Sequence, residues 1–240
     1  IGGNDTPSRT SIEYITFASA GNATDFGDCD NNYGACGMSN GTRAVFASNA
    51  YDADDMEYVT IASTGNTSTF GTISRNSGCY YPATVNNTTR GVFAYGMKAN
   101  FQLTANMDYI TIASTGNSST FGDLTFANKN KANGVVCTST RGLFLGGMNL
   151  SDTKQNSVEY ITIASTGGGT DFGDLTQARA DSAGISGTTR GFCCGGYTST
   201  RSNVIDYVEI ATLGNFSDYG DLVTAEQQWT GMSQVHGGLQ

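Results

Sequence analysis

Proline is nearly missing from this chain of 240 residues, with two copies, and histidine and tryptophan occur once each. There is no histidine cluster, no paired-cysteine zinc spacing and no glycine-rich phosphate loop, so the commonest metal and nucleotide sites have no starting material. Basic residues are also few: 12 Lys and Arg against a net charge of −9 leave no clustered positive face for nucleic acid or an anionic membrane. No stretch sustains the three-and-four apolar spacing of a long helix. No run approaches the roughly 18 apolar residues of a membrane span, and no leader pattern is visible. The chain begins at Ile1 rather than Met and is read as a processed or excised segment, so the missing leader carries little weight.

What is abundant is glycine, with 32 copies, and repetition. The phrase Ile12-Glu-Tyr-Ile-Thr-Phe-Ala-Ser19 returns at Met56, Met107, Val158 and Ile205, which places Tyr14, Tyr58, Tyr109, Tyr160 and Tyr207 at intervals of 44, 51, 51 and 47 residues. Recurrence at this length marks a repeat architecture. Around each copy stand further fixed phrases. Arg43, Arg90, Arg141 and Arg190 each open a short apolar stretch, and Phe26-Gly-Asp28, Phe70-Gly-Thr72, Phe121-Gly-Asp123, Phe172-Gly-Asp174 and Tyr219-Gly-Asp221 follow a Gly/Asn turn. Short β-prone stretches separated by Gly, Asn and Ser/Thr turns predict antiparallel meanders of four strands. The third strand is apolar on both sides of its alternation, which predicts cover on both faces. Sheets stacked radially supply that cover.

The predicted fold is all-β: a five-bladed propeller in one domain spanning 1–240, with four antiparallel strands per blade. The repeats run approximately 30–73, 74–124, 125–175 and 176–224, and the fifth combines 1–29 with 225–240. Ile1-Gly-Gly3 matches the end of a second strand such as Leu145-Gly-Gly147, and Trp229 to Leu239 matches a first strand and the start of a second. A C-terminal strand joining the N-terminal blade closes the ring. The rival is an open array cut from a longer repeat protein.

The order Arg, strand ending Gly-Gly, Glu/Asp-Tyr, then an aromatic after a turn resembles a kelch repeat over the whole chain. Gly21-Asn-Ala-Thr-Asp-Phe-Gly-Asp28 and Thr140-Arg-Gly-Leu-Phe-Leu-Gly-Gly147 are similar to repeats in structural and tail-fibre proteins of marine tailed phages. The chain departs from kelch repeats in having mostly Phe rather than Trp on the fourth strand, and few blades. The resemblance implies a virion part, assembled in the host cytoplasm and extracellular on the mature particle. It implies no catalytic residue.

Carboxylates decide whether an enzyme is present, because five-bladed propellers include glycosidases that use two of them. Glu13, Glu57, Asp108, Glu159 and Asp206 recur at one position, and so do Asp28, Asp123, Asp174 and Asp221. Groups repeated round a ring share one environment, whereas an acid and a base need two. These acids are therefore expected to be structural, in pairs between blades with Arg43, Arg90, Arg141 and Arg190. Only Asp30, Asp181 and Glu226 remain as catalytic candidates. His236 falls where a fifth arginine would stand and reads as a turn residue. Asp52-Ala-Asp-Asp55 reads as a solvated acidic turn rather than a calcium loop. Asn22, Asn66, Asn117 and Asn215 form sequons at one repeat position, where the asparagine is attributed to its tolerance of left-handed backbone. The six cysteines are expected to be free and buried, with Cys29–Cys36 the favoured bridge if one forms.

The connections from second to third strand differ in every repeat, and variable loops on a fixed scaffold are where recognition sits. They and their surroundings carry Arg9, Tyr51, Lys98, Phe101, Gln102, Lys154, Tyr197, Arg201 and Trp229. Aromatics beside amides and hydroxyls suit sugar rings. The expected function is a non-enzymatic structural or adhesion module of a phage particle. Its partners are other virion subunits, copies of itself or a host-surface glycan, with no cofactor, metal, nucleic acid or membrane insertion. A glycan-binding lectin unrelated to phage is the alternative, and a glycoside hydrolase the third reading.

Overall fold

The computed structural model describes residues 10–30, 36–47, 55–74, 79–80, 82–98, 102–127, 134–228 and 231. Among them there is no helix, and the strands form five separate antiparallel sheets in chain order. The first holds β1 (Ser11–Tyr14) and β2 (Thr24–Asp28). The second runs β3 (Cys36–Ser39), β4 (Arg43–Ala47), β5 (Asp55–Thr60) and β6 (Ser68–Thr72). In the third, β7 (Cys79–Tyr80) and β8 (Ala83–Asn86) both pair with β9 (Arg90–Lys98), followed by β10 (Leu103–Thr111) and β11 (Ser119–Asp123). This sheet thus departs from the expected four strands, its first being split in two. The fourth is β12 (Val135–Cys137), β13 (Arg141–Met148), β14 (Lys154–Thr162) and β15 (Thr170–Asp174). The fifth is β16 (Ala183–Ser186), β17 (Arg190–Cys194), β18 (Ser202–Glu209) and β19 (Ser217–Glu226). The strand arrangement is propeller-like.

The recurring Phe-Gly phrase makes a bulge. In the second sheet Met56 pairs with Gly71 and Glu57 with Thr69, which leaves Phe70 unpaired and bends the outer strand. The freed ring meets the tyrosine of the neighbouring strand edge-on. Tyr14–Phe26, Tyr58–Phe70, Tyr109–Phe121 and Tyr160–Phe172 all have centroids 6.1 Å apart.

Alternation along the third strand sends side chains into two different interfaces. Met107 and Tyr109 pack towards the fourth sheet with Ile161 and Ile163, while Ile110 and Ile112 pack back on Val45, Met56 and Phe70 of the second. The same division puts Val158 and Tyr160 against Val208 and Ile210. The expected burial on both faces is met in these inner sheets. The first sheet differs: Ile12 packs forward with Val59, but Ile15 is 54% and Phe17 90% exposed, because no sheet among the described residues lies over them.

Backbone bonds fasten each outer strand to the next sheet. Gly116 and Ser118 donate to the carbonyls of Phe70 and Thr72, and Gly214 and Phe216 donate to those of Phe172 and Asp174. The side chains of Asn66, Asn117 and Asn215 accept from the amides of Asp28, Thr72 and Asp174, each 3.0 Å away. These asparagines are absent from the residues with positive φ, where the adjoining Gly65, Gly116 and Gly214 appear instead. The recurring asparagine is therefore a clasp between sheets, not a left-handed turn residue as its type alone predicted.

Candidate functional site

The repeated acids come first, because their partners decide whether chemistry is available to them. Glu57 accepts hydrogen bonds from the Asp30 amide and Thr67 Oγ1. Asp108, fully buried, accepts from Ser74 Oγ, Tyr95 OH and Ser118 Oγ. Glu159 takes the Thr125 amide and hydroxyl, and Asp206 those of Thr176. Asp30, Ser74, Thr125 and Thr176 all stand two residues beyond an outer strand, where the chain crosses to the next sheet. Each acid thus clamps a crossing. Glu13, in the first sheet, is exposed.

The expected pairing with the strand-opening arginines is not what forms. Arg43, Arg90 and Arg141 lie over Tyr58, Tyr109 and Tyr160, with Cζ 4.1, 4.2 and 4.5 Å from the ring centroids. Their Nη1 groups donate to the carbonyls of Ile112, Ile163 and Ile210 in the following sheet. The bond does join neighbouring sheets, but a backbone carbonyl replaces the carboxylate. The physical reason is register: arginine and tyrosine stand near each other at one end of the strand pair, while the acid is drawn to the crossing on its other side. Arg190 alone meets a carboxylate, that of Glu209, which is not one of the recurring acids.

A residue missed in the sequence completes this layer. Arg179, wholly buried, pairs with Asp206 at 2.7 Å and donates to the carbonyls of Val204 and Cys193. Its Nε has no hydrogen-bond partner among the described residues. The signal was present in Thr176-Gln-Ala-Arg179, a cation a few residues past an outer strand, but the aligned residues Tyr33, Ser77, Asn128 and Glu226 carry no cation that would mark the position.

The expectation of free, buried cysteines is met at Cys29, Cys36, Cys137, Cys193 and Cys194, and the alternative bridge does not form. Cys29 and Cys36 are both free thiols; Cys29 donates to the Thr10 carbonyl, while Cys36 packs with Met38 and Val45 in a different core. Burial pushes the Cys36 thiol up to about 12 and that of Cys194 up to about 11. Neither is a nucleophile at neutral pH.

The variable-loop end gathers some of the expected binding residues. Lys154, opening β14, places Nζ 4.8 Å from the centroid of Tyr197 in the next sheet's loop. Tyr197 bridges to both Ala180 and Arg201 through its backbone, and Arg201 pairs with Glu226 at 3.3 Å with both side chains exposed. Asn149 orders the neighbouring loop by accepting from the amides of Ser151 and Thr153. Gln102 is exposed beside the start of β10, and Lys98 ends β9. Arg9, Tyr51, Phe101 and Trp229 lie outside the described residues, as do Asp52 to Asp54 and His236.

Of the three catalytic candidates, Asp181 is buried with φ 54° and its carbonyl accepts from Gln228. Glu226 is engaged by Arg201, and Asp30 gives its amide to Glu57. Among the described residues no group of three or more His, Cys, Asp or Glu is placed to hold a metal ion. No protein-family model and no curated protein sequence matches the chain.

Proposed function

We propose that the chain is a closed, five-bladed, kelch-like propeller that serves as a non-enzymatic structural and adhesion module of a phage virion, in a tail fibre or decoration. The variable-loop face binds a host-surface glycan, and the remaining surface meets other virion subunits or further copies. Two features support the ring. The first sheet holds only a third and a fourth strand among the described residues, and Gly231 lies against the carbonyl of Gly184 in β16. Gly184 itself stands in the same way against Val135 of β12. Residue 231 thus continues the row of first strands towards the sheet that lacks one.

One observation carries the binding reading: the third-strand acids Glu57, Asp108, Glu159 and Asp206 are each tied to a crossing, while Lys154, Tyr197 and Arg201 come together on the loop face. A tyrosine ring beside a cation can stack its other face on a sugar, whose hydroxyl groups the neighbouring polar side chains can bond. The phage assignment rests on the two resembling phrases. A glycan array with the purified chain tests the binding: retention of a defined oligosaccharide, lost in Tyr197→Ala and Arg201→Ala and unaccompanied by hydrolysis, is the expected result. Hydrolysis abolished by Glu226→Gln would replace this reading with a glycosidase.

A further inference from the structure

The blade-to-blade contact is built from the same parts wherever two inner sheets meet, and the outermost faces carry those parts unused. In each internal contact an arginine donates to the carbonyl of the following sheet, as Arg141 does to Ile210 at 2.8 Å. A glycine of the outer strand is also overlaid by the next turn. A Cβ added at Gly27, Gly71, Gly122 or Gly173 would lie within 2.4 Å of the carbonyl oxygen of Gly65, Gly116, Gly167 or Gly214.

On the fifth sheet the corresponding glycine is Gly220, with φ 147°, and nothing overlies it. Tyr219 beside it is 60% exposed. Arg190 is turned onto Glu209, both about half exposed, where the other three arginines face Thr60, Thr111 and Thr162. The mating pieces are in the first sheet: Phe17 stands where Ile112, Ile163 and Ile210 stand, and Gly21-Asn22 where Gly65-Asn66 and Gly214-Asn215 stand.

Resting on the ring reading, we infer that the open face around Arg190 and Gly220 is the seat of the chain's own first sheet, with Arg190 exchanging Glu209 for the Phe17 carbonyl. The Gly21-Asn22 turn covers Gly220, and the Asn22 side chain accepts from the Asp221 amide. The occupant is this chain rather than a second copy for two reasons. A tethered partner acts at an effective concentration of order millimolar. And residue 231, beside β16, already leads the chain towards the gap. Glu209 is the one charged residue at its repeat position, so it holds Arg190 in reserve until the sheet docks.

Paired cysteines at Asn22 and Asp221 test the contact in the full chain, with Asn66→Cys and Asp28→Cys as an internal control of the same geometry. Cys29, Cys36, Cys137, Cys193 and Cys194 are buried free thiols and do not compete, and Cys79→Ser is carried in both pairs. Oxidation of a dilute sample is expected to give a cross-linked monomer for both pairs. Dimers or ladders from the 22–221 pair alone would overturn the inference in favour of head-to-tail copies. A control that closes while 22–221 stays reduced would also overturn it; sedimentation of that sample as a compact monomer would leave the ring itself standing. Glu209→Thr, which restores the residue of the other repeats, is expected to raise the melting midpoint. An unchanged or lowered midpoint counts against the exchange.

Discussion

Ile112 and Phe17 occupy the same place in the repeat, yet Ile112 is sealed between two sheets and Phe17 stands almost wholly exposed. Arg141 and Arg190 differ in the same way: one reaches across to the next sheet, the other folds back onto Glu209. The residues hardly change between these positions, and the neighbour does. A repeat position supplies a capacity for contact, and an adjoining sheet turns that capacity into stability.

The largest effect is expected at the buried ion pair. Arg179→Met leaves Asp206 without its cation inside the core and should cost about 3–5 kcal/mol in urea unfolding. Arg190→Met removes a half-exposed pair and reads the outer face: the urea midpoint should shift little if that face stays open, and clearly if the first sheet docks on it as inferred. A cost at Arg190 equal to that at Arg179 would show that the outer face is covered.

Core truncation sharpens the comparison next. Ile112→Ala should lose about 2–5 kcal/mol. Phe17→Ala should lose a comparable amount if the first sheet docks as inferred, and close to nothing if its exposed state persists in solution. Glycine offers a finer probe. Gly71→Ala drives a methyl into the Gly116 carbonyl at an unfavourable φ of 158° and should cost about 1–3 kcal/mol or more. Gly220→Ala should cost as much only in a closed ring.

The smallest effect is in the pH profile. Cys36 and Cys194 are held protonated by burial, so their contribution is complete below the unfolded value of 9 and is lost as pH rises through about 11 and 12. Melting midpoints should fall above pH 9. Thiol reagents should modify these residues only on unfolding.

Strand positions were legible because turn chemistry and alternation are local properties. The stretch opened by Arg190 and the one carrying Tyr219-Gly-Asp221 appear as β17 and β19. Partner choice was not legible. Arg43 offers five donors to any acceptor within reach, and nothing in its own phrase says that a carbonyl from the third sheet arrives there. The same holds for Asp108 and Asp206, one repeat position met by hydroxyls in one sheet and by a guanidinium in another. On the loop face, Lys154, Tyr197 and Arg201 could be named from loop variability, but the stacking of Lys154 on Tyr197 depends on how two sheets are turned.

Small-angle scattering from the 240-residue chain tests the closed ring most directly. A compact monomer of this length has a radius of gyration of about 18 Å, and a closed ring keeps that value at every concentration. A larger radius that grows with concentration would mean that the exposed faces meet between molecules, and the ring would be wrong.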